Sequence, residues 1–318
     1  MSTMALFRTA SWLVDVLPER VGRGVFRLVG RMAGLSNIAG ARQLRANLNR
    51  IVPVTGQLAA RRRSAVAMRS YMDYYYEAFR LNSLTDEQLD ARVSVENVEP
   101  IKSYLASGKS VSAVLLHMGN WDLAGAWATK HIAPIHSIAE KLKPAELAEH
   151  FLRFRRSIGL TIYQTGGGAI SQLEKSMHEE AVLVTLLCDR DLSASGVEVT
   201  LAGKPVRVAV GSALLAQRTG APMWPISITT EEFDDDAVRV RRAGTRYGIR
   251  IIFGEPIWPE ATPDASPEMR AADIVRMNQT WLDQVFPLLS HNVTDWHMLQ
   301  KVFVEDLDPE RLARYKEL

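Results

Sequence analysis

The feature that most constrains the fold is the alternation of short apolar runs with longer amphipathic segments after about residue 96. The apolar runs have the length of strands, and the segments between them repeat apolar residues at helical spacing. We predict strands at 111–117, 136–140, 160–164, 182–189, 197–201, 223–229, 237–242 and 249–253, and helices at 121–131, 144–157, 168–180, 210–219 and 267–289. This order predicts an α/β fold with a central mixed, largely parallel sheet flanked by helices.

The N-terminal part differs in composition and charge. Residues 1–95 are predicted to be mostly helical, and residues 96–318 to form the α/β core, both within one compact domain. The first 69 residues contain twelve arginines, no lysine and two acids, a net charge of +10, whereas the whole chain carries +2. Between residues 7 and 35, apolar side chains and arginines alternate at helical intervals, as in amphipathic helices that lie in a membrane interface. We expect an anionic membrane surface as partner; a basic face for nucleic acid and an ordinary packed helix are the alternatives.

Other features exclude several classes of protein. The sequence shows no secretory signal and no apolar stretch of the roughly 20 residues that span a bilayer, so we expect the protein on the cytoplasmic side. The seven histidines are scattered and the single cysteine, Cys188, lies in an apolar run, so we expect neither a metal site nor a bound cofactor. The acidic stretch at 231–236 is predicted to be a turn between two strands.

The segment AVLLHMGNWDLAGAW, residues 113–127, points to chemistry. It predicts a strand ending near His117, a turn at Gly119 and a helix beginning at Asn120, which places Asp122 in the first helical turn. Ligands of open α/β sheets bind at the carboxyl ends of strands. A carboxylate that holds one imidazole nitrogen leaves the other free to take a proton. No G-x-S-x-G nucleophile motif is present, so a base acting on an external hydroxyl is the functional interpretation; a histidine that merely caps the sheet edge is the alternative.

The H-x-x-x-x-D motif at a strand end resembles that of the glycerolipid and lysophospholipid acyltransferases. The longer stretch HMGNWDLAG is more similar to the lipid A biosynthesis acyltransferases, and among them to the actinobacterial phosphatidylinositol mannoside acyltransferases. Further similar stretches are IAEKLKP (138–144), FRRSIGL (154–160), LCDRDL (187–192) and DWHMLQ (295–300). These matches occur in the same order and span most of the chain.

The resemblance implies a peripheral enzyme on the cytoplasmic face of the plasma membrane. It would transfer a long acyl chain such as palmitoyl from acyl-CoA, a co-substrate, to a mannose hydroxyl of a phosphatidylinositol mannoside. By motif, His117 would be the base, Asp122 its orienting carboxylate, and Asp189 a further member of a charge relay. A glycerolipid acyltransferase that acts on lysophosphatidic acid and a non-catalytic lipid-binding relative are the alternatives.

The resemblance also implies how substrates are held. The residues expected to contact substrate are Trp121, Glu140, Arg155, Arg190 and Asp191. The acyl chain would lie in a tunnel along the sheet, where small side chains make room for it: Ala124, Gly125, Ala126 and Ala128.

Overall fold

The computed structural model describes residues 9, 11–14, 16–140, 145–166, 168–191 and 195–308. The helices are α1 Glu19–Leu35, α2 Ala39–Ile51, α3 Gln57–Arg80, α4 Asp86–Ala91, α5 Glu99–Ala106, α6 Trp121–His131, α7 Ala145–Ser157, α8 Ala169–Glu179, α9 Gly211–Thr219, α10 Ala237–Ala243 and α11 Pro267–His291. The strands are β1 Val93–Glu96, β2 Val111–Leu115, β3 Ile135–Ala139, β4 Thr161–Gln164, β5 Leu183–Leu187, β6 Val197–Leu201, β7 Lys204–Val208, β8 Met223–Glu232 and β9 Tyr247–Phe253. Short 3-10 turns lie at Leu81–Ser83, Val293–Asp295 and Val304–Asp306.

A seven-stranded sheet forms the centre, in the order β1-β9-β8-β2-β5-β3-β4. Neighbouring strands are parallel except β8 and β9, which are antiparallel. Strand β2 lies in the middle and is buried along its whole length, which explains its continuous apolar sequence. The predicted α/β class with a mixed, largely parallel sheet is confirmed. Because β2, β3 and β5 are parallel, their carboxyl ends meet at one edge of the sheet.

The predicted helices of the core lie within a few residues of their observed bounds, but the predicted strand at 237–242 is wrong. This segment forms α10. The Asp236 carboxylate caps its first turn by accepting from the Arg239 amide at 2.8 Å, and Gly244 ends it with a φ of 69°. The alternation of valine and arginine suggested a strand, yet Val238 is 65% exposed, so the pattern does not reflect burial.

Two short strands were not predicted. Strand β1 pairs only with β9 at the edge of the sheet, and β7 forms a separate two-stranded hairpin with β6. The domain boundary predicted at 95/96 falls inside β1, so the helical region supplies part of an edge strand. The acidic stretch 231–236 begins in β8 and leads into α10 rather than directly into a strand.

The N-terminal helices pack against the core, and their arginines are not equivalent. Helix α1 lies so close to α3 that a Cβ atom on Gly30 would come within 2.4 Å of the Met68 carbonyl oxygen. Arg23, on this inner side, is buried and forms ion pairs with Glu19 and Glu77. Arg23 is therefore not available to a membrane surface, because headgroups cannot reach a guanidinium that is 3% exposed.

The outer side of α1 has a different character. Its exposed apolar side chains form one stripe: Val21, Val25, Leu28, Val29, Met32 and Leu35. Arg20 and Arg31 are exposed as well. A contiguous exposed apolar stripe marks an interaction surface on a soluble protein. None of the helices in the described ranges is both long enough and apolar enough to cross a bilayer.

Candidate active site

The loop from β2 into α6 carries the catalytic candidate at the carboxyl edge of the sheet. Gly119 turns the loop with a φ of 64°, and a Cβ atom there would lie 2.5 Å from the Ile228 carbonyl oxygen. The close approach and the left-handed backbone together require glycine. The Asn120 side chain then caps α6 by accepting from the Leu123 amide at 3.0 Å. This turn holds His117, whose side chain is 19% exposed, in the wall of a cleft.

The partner of the His117 ring is Asp189, at the end of the neighbouring strand β5. The His117 Nδ1 lies 2.5 Å from Asp189 Oδ1, and the His117 backbone N–H donates to Asp189 Oδ2 at 2.9 Å. The Trp296 indole N–H donates to the same Oδ2 at 2.8 Å. With Nδ1–H donated to the carboxylate, Nε2 carries the lone pair that can take a proton. His117 and Asp189 therefore form a dyad that suits general-base chemistry.

Asp189 is ionised in this arrangement. Burial raises the cost of its charge, but the nearby His117 ring and the hydrogen bonds from His117 and Trp296 outweigh burial and lower the pKa of the carboxyl below its ordinary value. A buried, ionised carboxylate stabilises an imidazolium that forms beside it.

Asp122 is paired with residues other than His117. The hydrogen bonds to its carboxylate come from Tyr74 Oη at 2.7 Å and from Arg155 Nε at 2.9 Å, and its side chain is 1% exposed. The prediction that Asp122 orients His117 directly is thus corrected, since Asp189 occupies that position on Nδ1. Asp122 and Arg155 form a buried ion pair that ties the first turn of α6 to α7 and, through Tyr74, to α3.

The His117 ring faces a cleft of about 640 Å³. Trp121 packs edge-on against the His117 ring at 5.6 Å between centroids and lies against Tyr74 at 4.2 Å. The tyrosines of α3 divide between the core and the cleft. Tyr76 packs against Phe26, whereas Tyr74 and its neighbours Tyr71 and Tyr75 line the cleft.

The remaining predicted contact residues separate into two groups. Glu140 and Arg190 both line the cleft and form an ion pair of 3.0 Å. Asp191 pairs with Arg207 at 3.2 Å, its side chain is 2% exposed, and it is absent from the described lining of the cleft. Glu140 and Arg190 thus stay candidates for contact with a headgroup, whereas the geometry does not support that role for Asp191.

Three residues near His117 were not identified as site residues from the sequence, namely Trp296, His297 and Ser70. Trp296 and His297 lie in the stretch DWHMLQ, which had been noted only for its similarity to a family. A β-bridge between Met118 and Trp296 brings this stretch beside the loop between β2 and α6. That contact joins residues far apart in sequence, so no local pattern could have predicted it.

No group of three or more acidic, histidine or cysteine side chains within the described part of the chain could hold a metal ion. The site comprises the His117–Asp189 pair and a cleft with aromatic walls. The family model of the bacterial lipid A biosynthesis acyltransferases matches residues 3–241. The chain belongs to this family.

Curated relatives of this acyltransferase are similar over nearly the full length. It is 30% identical over 308 residues to the phosphatidylinositol mannoside acyltransferase of Mycolicibacterium smegmatis, covering 96% of this chain and 93% of that one. It is 28% identical over 313 residues to the protein of the same name from Mycobacterium tuberculosis, covering 96% and 90%. The solved 1-acyl-sn-glycerophosphate acyltransferase of Thermotoga maritima is 15% identical with a TM-score of 0.33, over 74% of this chain and 87% of that one. That likeness is too low to support an argument.

A second, narrow cavity of the acyltransferase begins beside the cleft and runs between α6 and the sheet. Trp121, Ile138, Arg155, Leu186 and Leu187 line both spaces, so the two adjoin. Beyond this junction the walls are mostly apolar, formed by small residues of α6 and branched or aromatic residues of the strands: Ala124, Gly125, Ala128, Ile135, Leu183, Ile226, Ile228, Ile251 and Phe253. The polar residues among them are Asp122, Ser137 and Thr185. Ala126, the other small residue expected there, is buried outside the described lining.

Proposed function

We propose that the protein transfers a long-chain acyl group from acyl-CoA to a mannose hydroxyl of a phosphatidylinositol mannoside. The observation that carries this proposal is the position of the His117–Asp189 dyad, in the wall of a cleft that combines aromatic and polar side chains and adjoins an apolar cavity. A sugar headgroup suits the cleft and a hydrocarbon chain suits the cavity. The names of the similar mycobacterial enzymes supply the class of acceptor.

The apolar cavity supports a long-chain donor. It follows α6 from Trp121 to Ile132, a distance of about 16 Å at the rise of an α-helix. That length suits a fatty acyl chain rather than an acetyl group. Each buried methylene contributes about 0.8 kcal/mol, so a fully seated chain binds far more tightly than a short one.

The dyad suggests the order of proton transfers. His117 Nε2 takes the proton of the mannose hydroxyl as its oxygen attacks the thioester carbonyl carbon. The C–S bond then breaks, and the coenzyme A thiolate takes the proton back from His117. Asp189 holds Nδ1–H throughout and stabilises the imidazolium. No protein nucleophile is needed, because the acceptor oxygen forms the new ester bond itself.

The other cleft residues have roles in this proposal that follow from their contacts. Trp121 separates cleft from cavity and would contact the thioester end of the chain. The Asp122–Arg155 pair fixes the first turn of α6, on which Trp121 stands. Glu140 and Arg190, paired at the cleft wall, would contact the polar headgroup.

The apolar stripe of α1, with Arg20 and Arg31 beside it, supports peripheral binding to an anionic membrane. Together with the expectation from the sequence that the protein lies on the cytoplasmic side, this makes the inner face of the plasma membrane the proposed location. A duplex or single-stranded nucleic acid would leave the apolar stripe exposed to water, so we propose no nucleic-acid partner.

The test is a transfer assay with radiolabelled palmitoyl-CoA and one acceptor at a time, either phosphatidylinositol mannoside or lysophosphatidic acid. We expect labelled ester on the mannoside and little on lysophosphatidic acid. Efficient transfer to lysophosphatidic acid alone would replace the proposal by the glycerolipid alternative. Binding of both lipids without any transfer would indicate a non-catalytic relative.

A further inference from the structure

A second histidine, His297, lies beside the catalytic base and has no role in the mechanism above. Its backbone N–H donates to the His117 carbonyl oxygen at 2.8 Å, which fixes it next to the base. Its side chain lines the cleft and is 4% exposed. Its ring lies 4.9 Å from Tyr71 and 6.1 Å from Trp121 between centroids. It is therefore part of the surface that a headgroup would meet.

Hydrogen bonds determine which nitrogen of His297 carries the proton. The Ser70 hydroxyl donates its single proton to Asp295 Oδ1 at 3.1 Å. Its oxygen lies 3.1 Å from His297 Nε2 and must accept there, so Nε2 carries the hydrogen. Asp295 is held in turn by the Thr230 backbone N–H at 2.8 Å. The Nδ1 atom of His297 is left with a lone pair, and no described residue donates to it although it is buried.

His297 cannot replace His117 as a base. Burial, together with the nearby His117, lowers the pKa of His297 to about 3. The ring is therefore neutral at physiological pH. It lies in the wall of the cleft with a buried, unpaired acceptor and no charge, so a hydroxyl group that reached Nδ1 would satisfy it, whereas the oxygens of a phosphate would be repelled.

We propose that His297 Nδ1 accepts a hydrogen bond from a second hydroxyl of the sugar acceptor and so selects which hydroxyl reaches His117. This inference rests on the proposed function, since it assumes a polyhydroxylated acceptor. The hydroxyls of one sugar ring are chemically similar, so a base alone cannot choose among them. A buried acceptor beside the base discriminates by position, because a misplaced sugar leaves it unpaired.

The experiment compares His297→Phe and His297→Asn with the wild-type chain, using palmitoyl-CoA and phosphatidylinositol mannoside. Phenylalanine keeps a planar ring and removes both nitrogens, whereas asparagine retains an amide oxygen near the position of Nδ1. We expect His297→Phe to lower kcat/KM for the mannoside by about 10- to 100-fold, the range for leaving one buried polar group unpaired, with KM for palmitoyl-CoA unchanged. We also expect esters on more than one hydroxyl in the product, resolved by NMR, and partial recovery in His297→Asn.

His136 provides the matched control. It is also buried and has an Nδ1 atom that no described residue contacts by a hydrogen bond, but it does not line the described cleft. His136→Asn should leave acceptor kinetics and product unchanged. If His297→Phe fails to fold, His297→Gln takes its place, since the longer side chain carries its amide toward Ser70 and away from the position of Nδ1.

A folded His297→Phe, or His297→Gln in its place, with wild-type kcat/KM for the mannoside and a single product would overturn this inference and leave the proposed function intact. A wild-type chain that acylates lysophosphatidic acid but no mannoside would overturn both.

Discussion

Replacing Asp189 by asparagine tests the dyad sharply, because it removes the negative charge and also places a hydrogen-bond donor in front of His117 Nδ1. Oδ2 of Asp189 accepts two hydrogen bonds, from the His117 backbone and from Trp296, so the oxygen of an asparagine must take that position. Its NH₂ group then faces His117 Nδ1. A donor there forces Nδ1 to accept and moves the ring proton to Nε2, the nitrogen that should act as the base.

The expected loss in kcat is about 10³-fold, or roughly 4 kcal/mol in the barrier, within the range for removal of a general base. KM for palmitoyl-CoA should change little, because the apolar cavity lies elsewhere. The assay is steady-state transfer of labelled palmitoyl to phosphatidylinositol mannoside, with circular dichroism melting to check the fold. Asp191→Asn is the matched control, since it removes a carboxylate two residues away that pairs with Arg207 outside the described cleft lining. A folded Asp189→Asn with more than a tenth of wild-type kcat would refute the dyad.

Three further predictions concern other parts of the molecule. Asp122→Asn should chiefly lower stability, by about 3 kcal/mol in denaturant unfolding, because it leaves the Arg155 guanidinium, whose side chain is only 20% exposed, without its anionic partner. An unchanged unfolding midpoint would contradict this. Gly125→Leu should obstruct the apolar cavity and lower transfer from palmitoyl-CoA at least tenfold more than transfer from octanoyl-CoA. The reason is that about 0.8 kcal/mol of binding free energy is lost for each methylene that the cavity no longer holds. An unchanged ratio of palmitoyl to octanoyl transfer would place the acyl chain elsewhere. Arg20→Glu with Arg31→Glu should weaken sedimentation with anionic vesicles, because each lost attraction costs about 1 kcal/mol of binding free energy. Vesicle binding that changes neither with the lipid charge nor with these substitutions would exclude α1 as the membrane contact.

How much the sequence could predict depended on whether the interaction was local. Helix α6 was predicted at its observed bounds because Asn120 and the spacing after it lie within a few residues of one another. The position of His117 at a strand end followed from the same local pattern. The local pattern suggested Asp122 as its partner, because Asp122 is near in sequence. Asp189, which only the family resemblance had implied as a member of the relay, is near in space through the pairing of β2 with β5.

The same limit explains the arginines of α1. Sequence showed that they recur at helical intervals, and this was correct. Which of them face the protein depends on Asp73 and Glu77, two acids of α3 that hold Arg23 and Arg27 after the helices pack together. Charge composition alone treats all of these arginines as solvent-facing, so it overestimates the charge available to a membrane.

The most direct test of the central claim is transfer by His117→Ala. Acyl transfer from labelled palmitoyl-CoA to phosphatidylinositol mannoside and the binding of palmitoyl-CoA should be measured on the same folded preparation. We predict that transfer falls by about 10²–10⁴-fold while donor affinity is retained, because the substitution removes the proton acceptor and leaves the apolar cavity intact. A folded variant that keeps more than a tenth of wild-type turnover would contradict the assignment of His117 as the base.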